Sequence, residues 1–257
     1  MNEEYFQHWS PDMAYVLGFI VADGCIVCHD GAYQLIVSCV DRDLVEFIRD
    51  ELEYTPTVKK CKDGCYRLSV CRKRVVMDLM AHGILPRKSW SPLVPDVPTE
   101  YHEPFIHGLF DGDGSVWTDW RKGRGKKSRQ YRVTSSITSY SKEFLQGIGG
   151  IIKRLNGSIP KIYGGYGDTH TYHIVYSNKE SIALYHTLYD NPLHKFYLGR
   201  KKEVFEDWLL TWKHDLEWGL RKCRICATKF VALHDKSTKC LSCSKRTSRS
   251  CRAVTKR

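Results

Sequence analysis

The sequence predicts an α+β fold: two αββαββα repeats related by a pseudo-twofold axis, followed by a small cysteine-rich C-terminal module. Three observations predict it. The segment Val16-Leu17-Gly18-Phe19-Ile20-Val21-Ala22-Asp23-Gly24 recurs as Ile106-His107-Gly108-Leu109-Phe110-Asp111-Gly112-Asp113-Gly114, which puts Asp23 and Asp113 90 residues apart. Each copy is followed by the same succession of period-two and helical apolar patterns. Two Cys-x2-Cys pairs then stand near the end of the chain.

Taken in order, the first apolar helix leads into strands near Cys25–Cys28 and Tyr33–Cys39, a helix over Asp41–Glu53, strands near Thr57–Cys61 and Cys65–Cys71, and a helix over Arg72–His82. Asp63-Gly64 is a hairpin signal between the last two strands. Leu85 to Pro104 holds five of the nine prolines and reads as the linker. The second copy places strands near Ser115–Trp120, Tyr131–Thr138, Ser158–Tyr163 and Thr171–Ser177, with helices over Lys142–Leu155 and Lys179–Leu188. A further long helix fits Arg200–Trp218. The expected boundaries are 1–98 and 99–220 for the repeats, 221–246 for the cysteine module and 247–257 for a basic, disordered tail.

With 42% apolar and 27% charged residues the chain can bury a core, which excludes a disordered protein. Its longest apolar run, Ala14 to Ala22, falls short of the ~20 residues that span a bilayer. The polar, acidic start (Met1, Asn2, Glu3, Glu4) is unlike a secretory signal, so an intracellular protein is expected. Its eleven cysteines then read as thiols or metal ligands rather than disulfides.

The net charge of +11 resides entirely in residues 221–257, which hold twelve Lys and Arg against Asp235 alone. The body is neutral but sorted: Arg121, Lys122, Arg124, Lys126, Lys127, Arg129 and Arg132 form a run without an acid. One such run is as readily a solvated loop, but two separate basic segments point to a polyanion, nucleic acid first.

In each repeated segment two small residues stand four apart, Gly18 with Ala22 and Gly108 with Gly112. These share a helix face and let two backbones approach closely, so the two helices are expected to pack together. Each then stops at Asp-Gly, where glycine suits a left-handed cap. A helix C-terminus is already partially negative, and two such ends side by side bring Asp23 and Asp113 together. A hard divalent cation such as Mg²⁺, held by carboxylates and carbonyls, resolves the repulsion. On a basic surface this suggests metal-assisted phosphodiester hydrolysis. A lone Asp-Gly would be only a helix stop; the repeat is what argues otherwise.

These residues resemble the LAGLIDADG motif, and roughly residues 10 to 218 resemble a single-chain, two-motif LAGLIDADG homing endonuclease. The resemblance implies a DNA-binding saddle of two αββαββα repeats with the motif helices at their interface and antiparallel strands in the major groove. It implies a monomer with internal pseudo-symmetry acting on double-stranded DNA. It assigns metal binding and catalysis to Asp23 and Asp113, with carbonyls of Ala22 and Gly112 as further ligands, and a basic residue near the scissile phosphate to Lys88 and Lys201, either of which is equally an ordinary surface lysine at a helix end. The family's earlier motif aspartate is Val21 in the first copy and Asp111 in the second, a position that supports structure rather than holding metal.

Strand alternation assigns the DNA face. Gln34, Ile36 and Ser38 lie opposite Leu35 and Val37; Arg67 and Ser69 lie opposite Tyr66, Leu68 and Val70; Arg132, Thr134, Ser136 and Thr138 lie opposite Tyr131, Val133, Ser135 and Ile137. Arg and Gln can read base edges, whereas Lys59, Lys60, Lys161 and the 121–129 run fit phosphates.

Cys223-x2-Cys226 and Cys240-x2-Cys243, 13 residues apart, have the spacing of a tetrahedral structural Zn²⁺ site, with His234 as an alternative ligand. Metal would drive folding of so short a module; its basic flanks suggest extra DNA contact, the alternative being a zinc knuckle that only stabilises the C-terminus. Cys25-x2-Cys28 is rejected, because i and i+3 on a strand point to opposite faces. The competing function is a binding protein of the same fold, a maturase with intron RNA as partner or a regulator. Both acids are present, which favours the enzyme. The Met start and the lack of intein ends suggest a freestanding or intron-encoded protein.

Overall fold

The computed structural model describes residues 1–29, 31–86, 93–122, 129–164, 171–190, 192–215, 220–227, 229–231, 238–239 and 243. They fall into two compact units, residues 1–205 and 206–257.

The first unit is built on two helices, α1 (Pro11–Asp23) and α4 (His102–Asp113). Ser10 caps α1 by accepting from the Met13 amide at 3.1 Å, and Pro11 occupies the first turn, where no N–H is needed. Met13 to Ile20 and Pro104 to Asp111 are buried without interruption, so both helices are interior elements. Around α1 run β1 (Gly24–His29), β2 (Ala32–Cys39), α2 (Arg42–Glu51), β3 (Lys59–Lys60), β4 (Tyr66–Val70) and α3 (Lys73–Ala81). After α4 come β5 (Gly114–Lys122), β6 (Arg129–Ser139), α5 (Lys142–Asn156), β7 (Lys161–Gly164), β8 (Tyr172–Ser177) and α6 (Lys179–Tyr189).

Each set of four strands forms one antiparallel sheet, in the orders β1-β2-β4-β3 and β5-β6-β8-β7. The shared order is the expected repeat. One face of the first sheet presents Leu35, Val37, Leu68 and Val70 to the core that also takes Leu44, Val45, Ile48, Val75, Val76 and Leu79, all essentially inaccessible. Truncating any of these leucines to alanine should cost about 2–5 kcal/mol. In the second sheet Val133, Ile137, Ile174 and Tyr176 do the same with Phe144, Leu145, Ile148, Ile152 and Leu184. A helix α7 spans Gly199–Asp215. No described helix is long and apolar enough to cross a membrane.

Three local expectations change. The strand expected over Thr57–Cys61 shrinks to Lys59–Lys60, an edge strand paired only with β4. The linker ends before Pro104, which sits in the first turn of α4, where its absent N–H has no intrahelical acceptor to lose. Gly24 and Gly114 are extended, at φ −73° and −79°, rather than left-handed. Glycine is required there because a Cβ at Gly24 would lie 2.7 Å from the Ile20 carbonyl oxygen, and one at Gly114 would strike Phe110.

In the second unit β9 (Leu220–Lys222) and β10 (Lys229–Val231) pair as an antiparallel hairpin that the sequence pattern did not suggest.

Candidate nucleic-acid interface and metal centre

The helix crossing is set by backbone contact. A Cβ at Gly18 would lie 2.9 Å from the Leu109 amide nitrogen, and one at Gly108 2.8 Å from the Tyr15 carbonyl carbon. A Cβ at Gly112 would fall on the Ala22 methyl. Small residues at these positions therefore decide how closely α1 and α4 approach, as the four-residue spacing implied.

That approach carries the two acids to the same end of the helix pair. The Asp23 carboxylate Oδ2 lies 3.6 Å from the point where a Gly112 Cβ would stand, hard against the last turn of α4. Asp23 is exposed and Asp113 half-buried. A cleft of about 250 Å³ lined by Ala22, Asp113, Thr138 and Tyr140 opens beside them. Each carboxylate thus stands where helix carbonyls point outward, a hard-oxygen environment that fits a Mg²⁺-class cation.

Asp111, two residues earlier, has the opposite environment. It is 1% exposed, and its Oδ2 accepts from the Tyr15 hydroxyl at 2.6 Å and from the Leu198 amide at 2.9 Å. Burial pushes its carboxyl up to about 6, against the pull of Tyr15, Leu198 and Lys201. It joins α1, α4 and the segment entering α7 into one polar network.

Lys201 departs from the expectation of a lysine facing phosphate. It is 4% exposed and donates to the carbonyls of Phe110, Asp111 and Gly114 at 2.6, 2.8 and 2.6 Å. All three of its protons are used in closing the C-terminal turn of α4, where a cation complements the helix dipole. Burial lowers its amine to about 8, while the charges of Asp111 and Asp23 hold it up. The neighbouring Arg200 forks onto Asp41 at 2.8 to 3.1 Å, which keeps that carboxyl below its usual range, and Lys195 pairs with Asp12 and Glu51 at 3.0 Å. Residues 194–201 therefore strap the second repeat onto the first. Lys88, the counterpart in the first repeat, lies outside the described residues.

The sheet faces follow the alternation. In the first sheet Gln34, Ile36 and Ser38 on β2, Ser69 and Arg67 on β4, and Lys59 on β3 share the face opposite the core, as register pairs Ile36↔Ser69, Ser38↔Arg67 and Lys59↔Arg67 require. Arg67 Nε donates to Ser38 Oγ at 3.0 Å. Lys60 pairs with Tyr66 and belongs to the other face, where its ammonium lies 5.8 Å from the Tyr66 ring. In the second sheet Arg132, Thr134, Ser136 and Thr138 align with Asp119, Trp117 and Ser115 on one side and with Ser177, Val175 and His173 on the other. Thr134 and Ser136 are only 7% exposed, because short side chains on a central strand sink between longer neighbours. Thr138 hydrogen-bonds His173 at 2.9 Å. Lys161 is exposed on β7 and Arg121 on β5. Lys122 and Arg129 are described as strand backbone only, and Arg124, Lys126 and Lys127 lie outside the described residues.

In the second unit the sulfurs of Cys223, Cys226 and Cys243 lie within 4.8 Å of one another, with Cys223 and Cys243 buried. The Ile225 amide donates to Cys223 Sγ at 3.5 Å. Cys240 and His234 lie outside the described residues. Among the described residues no metal-binding group includes Cys25 or Cys28.

Comparison with known proteins agrees with this geometry. Residues 100–188 match the family described as a LAGLIDADG-like domain. A crystal structure of I-DmoI in complex with DNA and Ca is similar at TM-score 0.51 and 20% identity, covering 80% of this chain and 100% of that one. The I-LtrWI LAGLIDADG homing endonuclease bound to target DNA is similar at TM-score 0.57 and 12% identity, over 83% of this chain and 91% of that one. I-SmaMI bound to uncleaved DNA in the presence of calcium ions is similar at TM-score 0.56 and 14% identity, over 81% and 93%. No curated protein sequence matches the chain. The chain thus carries a LAGLIDADG-like domain within the two-repeat α+β fold of the single-chain LAGLIDADG homing endonucleases.

Proposed function

We propose that this protein is a site-specific double-strand DNA endonuclease that cuts phosphodiesters with a divalent metal, acting as an intracellular, pseudo-symmetric monomer. The observation that carries the proposal is the pairing of two repeated helices that bring Asp23 and Asp113 to the same end, where Asp113 lines a cleft. Two polar sheet faces, one from each repeat, offer side chains of the kind that read or hold DNA. The similar structures of I-DmoI, I-LtrWI and I-SmaMI are themselves DNA complexes, two of them with calcium.

Asp23 and Asp113, with the carbonyls of Ala22 and Gly112, would hold a Mg²⁺-class cation. When bound, such an ion supplies water activation and charge stabilisation at the scissile phosphate. The protein's own contribution is placement. Gly18 and Gly108 fix the helix separation, Asp111 locks the crossing, and Lys201 closes the turn that carries Asp113. The outer rows differ between repeats (Gln34, Ile36, Ser38 and Arg67 against Arg132, Thr134, Ser136 and Thr138), so the target is long and asymmetric. Cys223, Cys226, Cys240 and Cys243 would hold a structural Zn²⁺, and the basic residues around them would add phosphate contact.

One observation favours a binding protein without cleavage, namely that Lys201 is used on carbonyls rather than left to face a phosphate. The test separates the two. A DNA library of candidate intron-insertion sites is incubated with Mg²⁺ or with a chelator, and the new ends are sequenced. Ends at one site only with Mg²⁺ support the nuclease. Specific binding to DNA or intron RNA without ends supports the alternative, and neither refutes both.

A further inference from the structure

A second cluster of ionisable side chains lies at the other end of α4. Glu103 and His107 stand one turn apart on that helix, and His194 comes from the strap that leads into α7. One ligand atom from each lies within 4.8 Å of the others. His107 Nδ1 is 3.8 Å from Glu103 Oε1, and His194 Nδ1 is 3.9 Å from Glu103 Oε2. The two imidazole rings meet edge to face, 4.6 Å between centroids.

Burial makes this cluster unusual. His107 is fully inaccessible and His194 5% exposed. None of the four imidazole nitrogens has a hydrogen-bond partner, and the Glu103 carboxylate has no closer polar neighbour than the Leu193 backbone amide. The distances are too long for hydrogen bonds. In the first repeat the same positions on α1 are Met13 and Leu17, both buried apolar residues. The second repeat has replaced a hydrocarbon contact by a carboxylate and an imidazole and has brought in a second imidazole from the strap. Buried ionisable groups without partners require something to satisfy them.

We propose that Glu103, His107 and His194 form a metal site for a borderline divalent transition ion, Zn²⁺ first. Two imidazoles and one carboxylate are a donor set for Zn²⁺ rather than for the all-oxygen preference of Mg²⁺. Metal–ligand bonds of about 2.0–2.2 Å in tetrahedral geometry put ligand atoms roughly 3.4 Å apart; the carboxylate–imidazole separations of 3.8 and 3.9 Å need contract by about half an ångström, and the widest pair, within 4.8 Å, by at most about 1.4 Å. His107 then binds through Nδ1, while its Nε2 lies 4.0 Å from Asp111 Oδ2, beyond hydrogen-bond distance. Tyr189, whose buried hydroxyl also lacks a partner and whose ring is 4.7 Å from His107, stands ready to hydrogen-bond whatever completes the fourth position. The site lies about 9 Å or more along α4 from Asp113, since six residues separate it from His107. It is therefore distinct from the acidic tips, and it does not depend on the nuclease reading.

Its role is that of a clip. His194 stacks on Tyr15 of α1 at 4.8 Å, and the adjacent Lys195 amide donates to Asp12 at 2.7 Å. A metal joining His194 to α4 would fasten the strap across both central helices.

Full-length protein is loaded with Zn²⁺, passed over a chelating resin, and assayed for zinc per chain. Wild type is compared with Glu103→Gln, with His194→Gln, and with His186→Gln as a surface-histidine control. Wild type and the control should each retain one zinc more than either cluster variant, while circular dichroism shows the variants folded. Equal zinc in all four overturns the proposal. Because a cluster variant could fail to fold, zinc X-ray absorption on the wild type gives an independent reading. Because the cysteine module could itself bring a histidine, the same spectrum is taken on the full chain carrying Cys223→Ser and Cys226→Ser: retained zinc with only nitrogen and oxygen scattering is expected, and no retained zinc overturns the site.

Discussion

Gly108→Ala is the sharpest perturbation of the helix crossing. The added methyl would stand 2.8 Å from the Tyr15 carbonyl carbon and 2.9 Å from the Phe19 amide nitrogen, and closer still to the Tyr15 oxygen. Carbon contacts relax at about 3.5–4.0 Å, so α1 and α4 must separate by on the order of 1 Å along backbone that cannot rotate away. Overpacking of this kind costs about 1–3 kcal/mol, and the contacts loosened along the rest of the crossing put the substitution at the upper end. For a chain of this size about 3 kcal/mol lowers Tm by roughly 6–12 °C. Gly150→Ala supplies the contrast. That position lies in α5 with only the Arg154 guanidinium 3.8 Å away, so alanine should stabilise by about 0.4–1 kcal/mol. Thermal and urea unfolding of both variants provide the assay. If Gly108→Ala melts with the wild type, close backbone contact does not set the crossing and the reasoning fails.

Asp111 is pushed above its unfolded value, so its stabilising contribution is full below about 4 and is lost as pH rises through about 6. Asp111→Asn keeps the acceptor for Tyr15 and Leu198 and should gain on the wild type by up to about 3 kcal/mol between pH 4 and 7 in urea unfolding; parallel pH profiles would refute the assignment. Lys201→Met strips a donor from the Phe110, Asp111 and Gly114 carbonyls and should cost about 1–3 kcal/mol, read by the same unfolding assay. DNA affinity, measured by fluorescence anisotropy from 50 to 200 mM salt, should fall by at least about 10³ if six or more phosphates are contacted, and a flat response would remove the sheet faces as the DNA surface.

The repeat made most of the fold legible. Nine-residue self-similarity placed both central helices, and period-two alternation placed Leu35, Val37, Leu68 and Val70 inward because burial on one sheet face leaves little choice of register. Four-residue spacing of Gly18 with Ala22 and Gly108 with Gly112 exposed the close approach. What escaped were features that depend on neighbours distant in the chain. Lys201 sits in an ordinary basic run, and nothing local says that its ammonium ends under the carbonyls of Phe110, Asp111 and Gly114, some 90 residues away. His194 has no sequence partner at metal spacing; only the Glu103–His107 pair, four apart on one helix, carried a trace of that cluster. Glycine at Gly24 and Gly114 was legible as a requirement, but the reason was clash with the preceding turn rather than a left-handed backbone. Thr134 and Ser136 had the right face and too little reach, since burial on a central strand depends on the length of the side chains beside it.

The most direct test of the account measures cutting and binding together on the mapped DNA site, for wild type, Asp23→Asn and Asp113→Asn in Mg²⁺. Each substitution should abolish cleavage and leave affinity within a few fold of wild type, because each removes one carboxylate from the joined helix ends and touches no sheet face. Cleavage retained in both variants would contradict the claim that the two helix ends work as one metal centre.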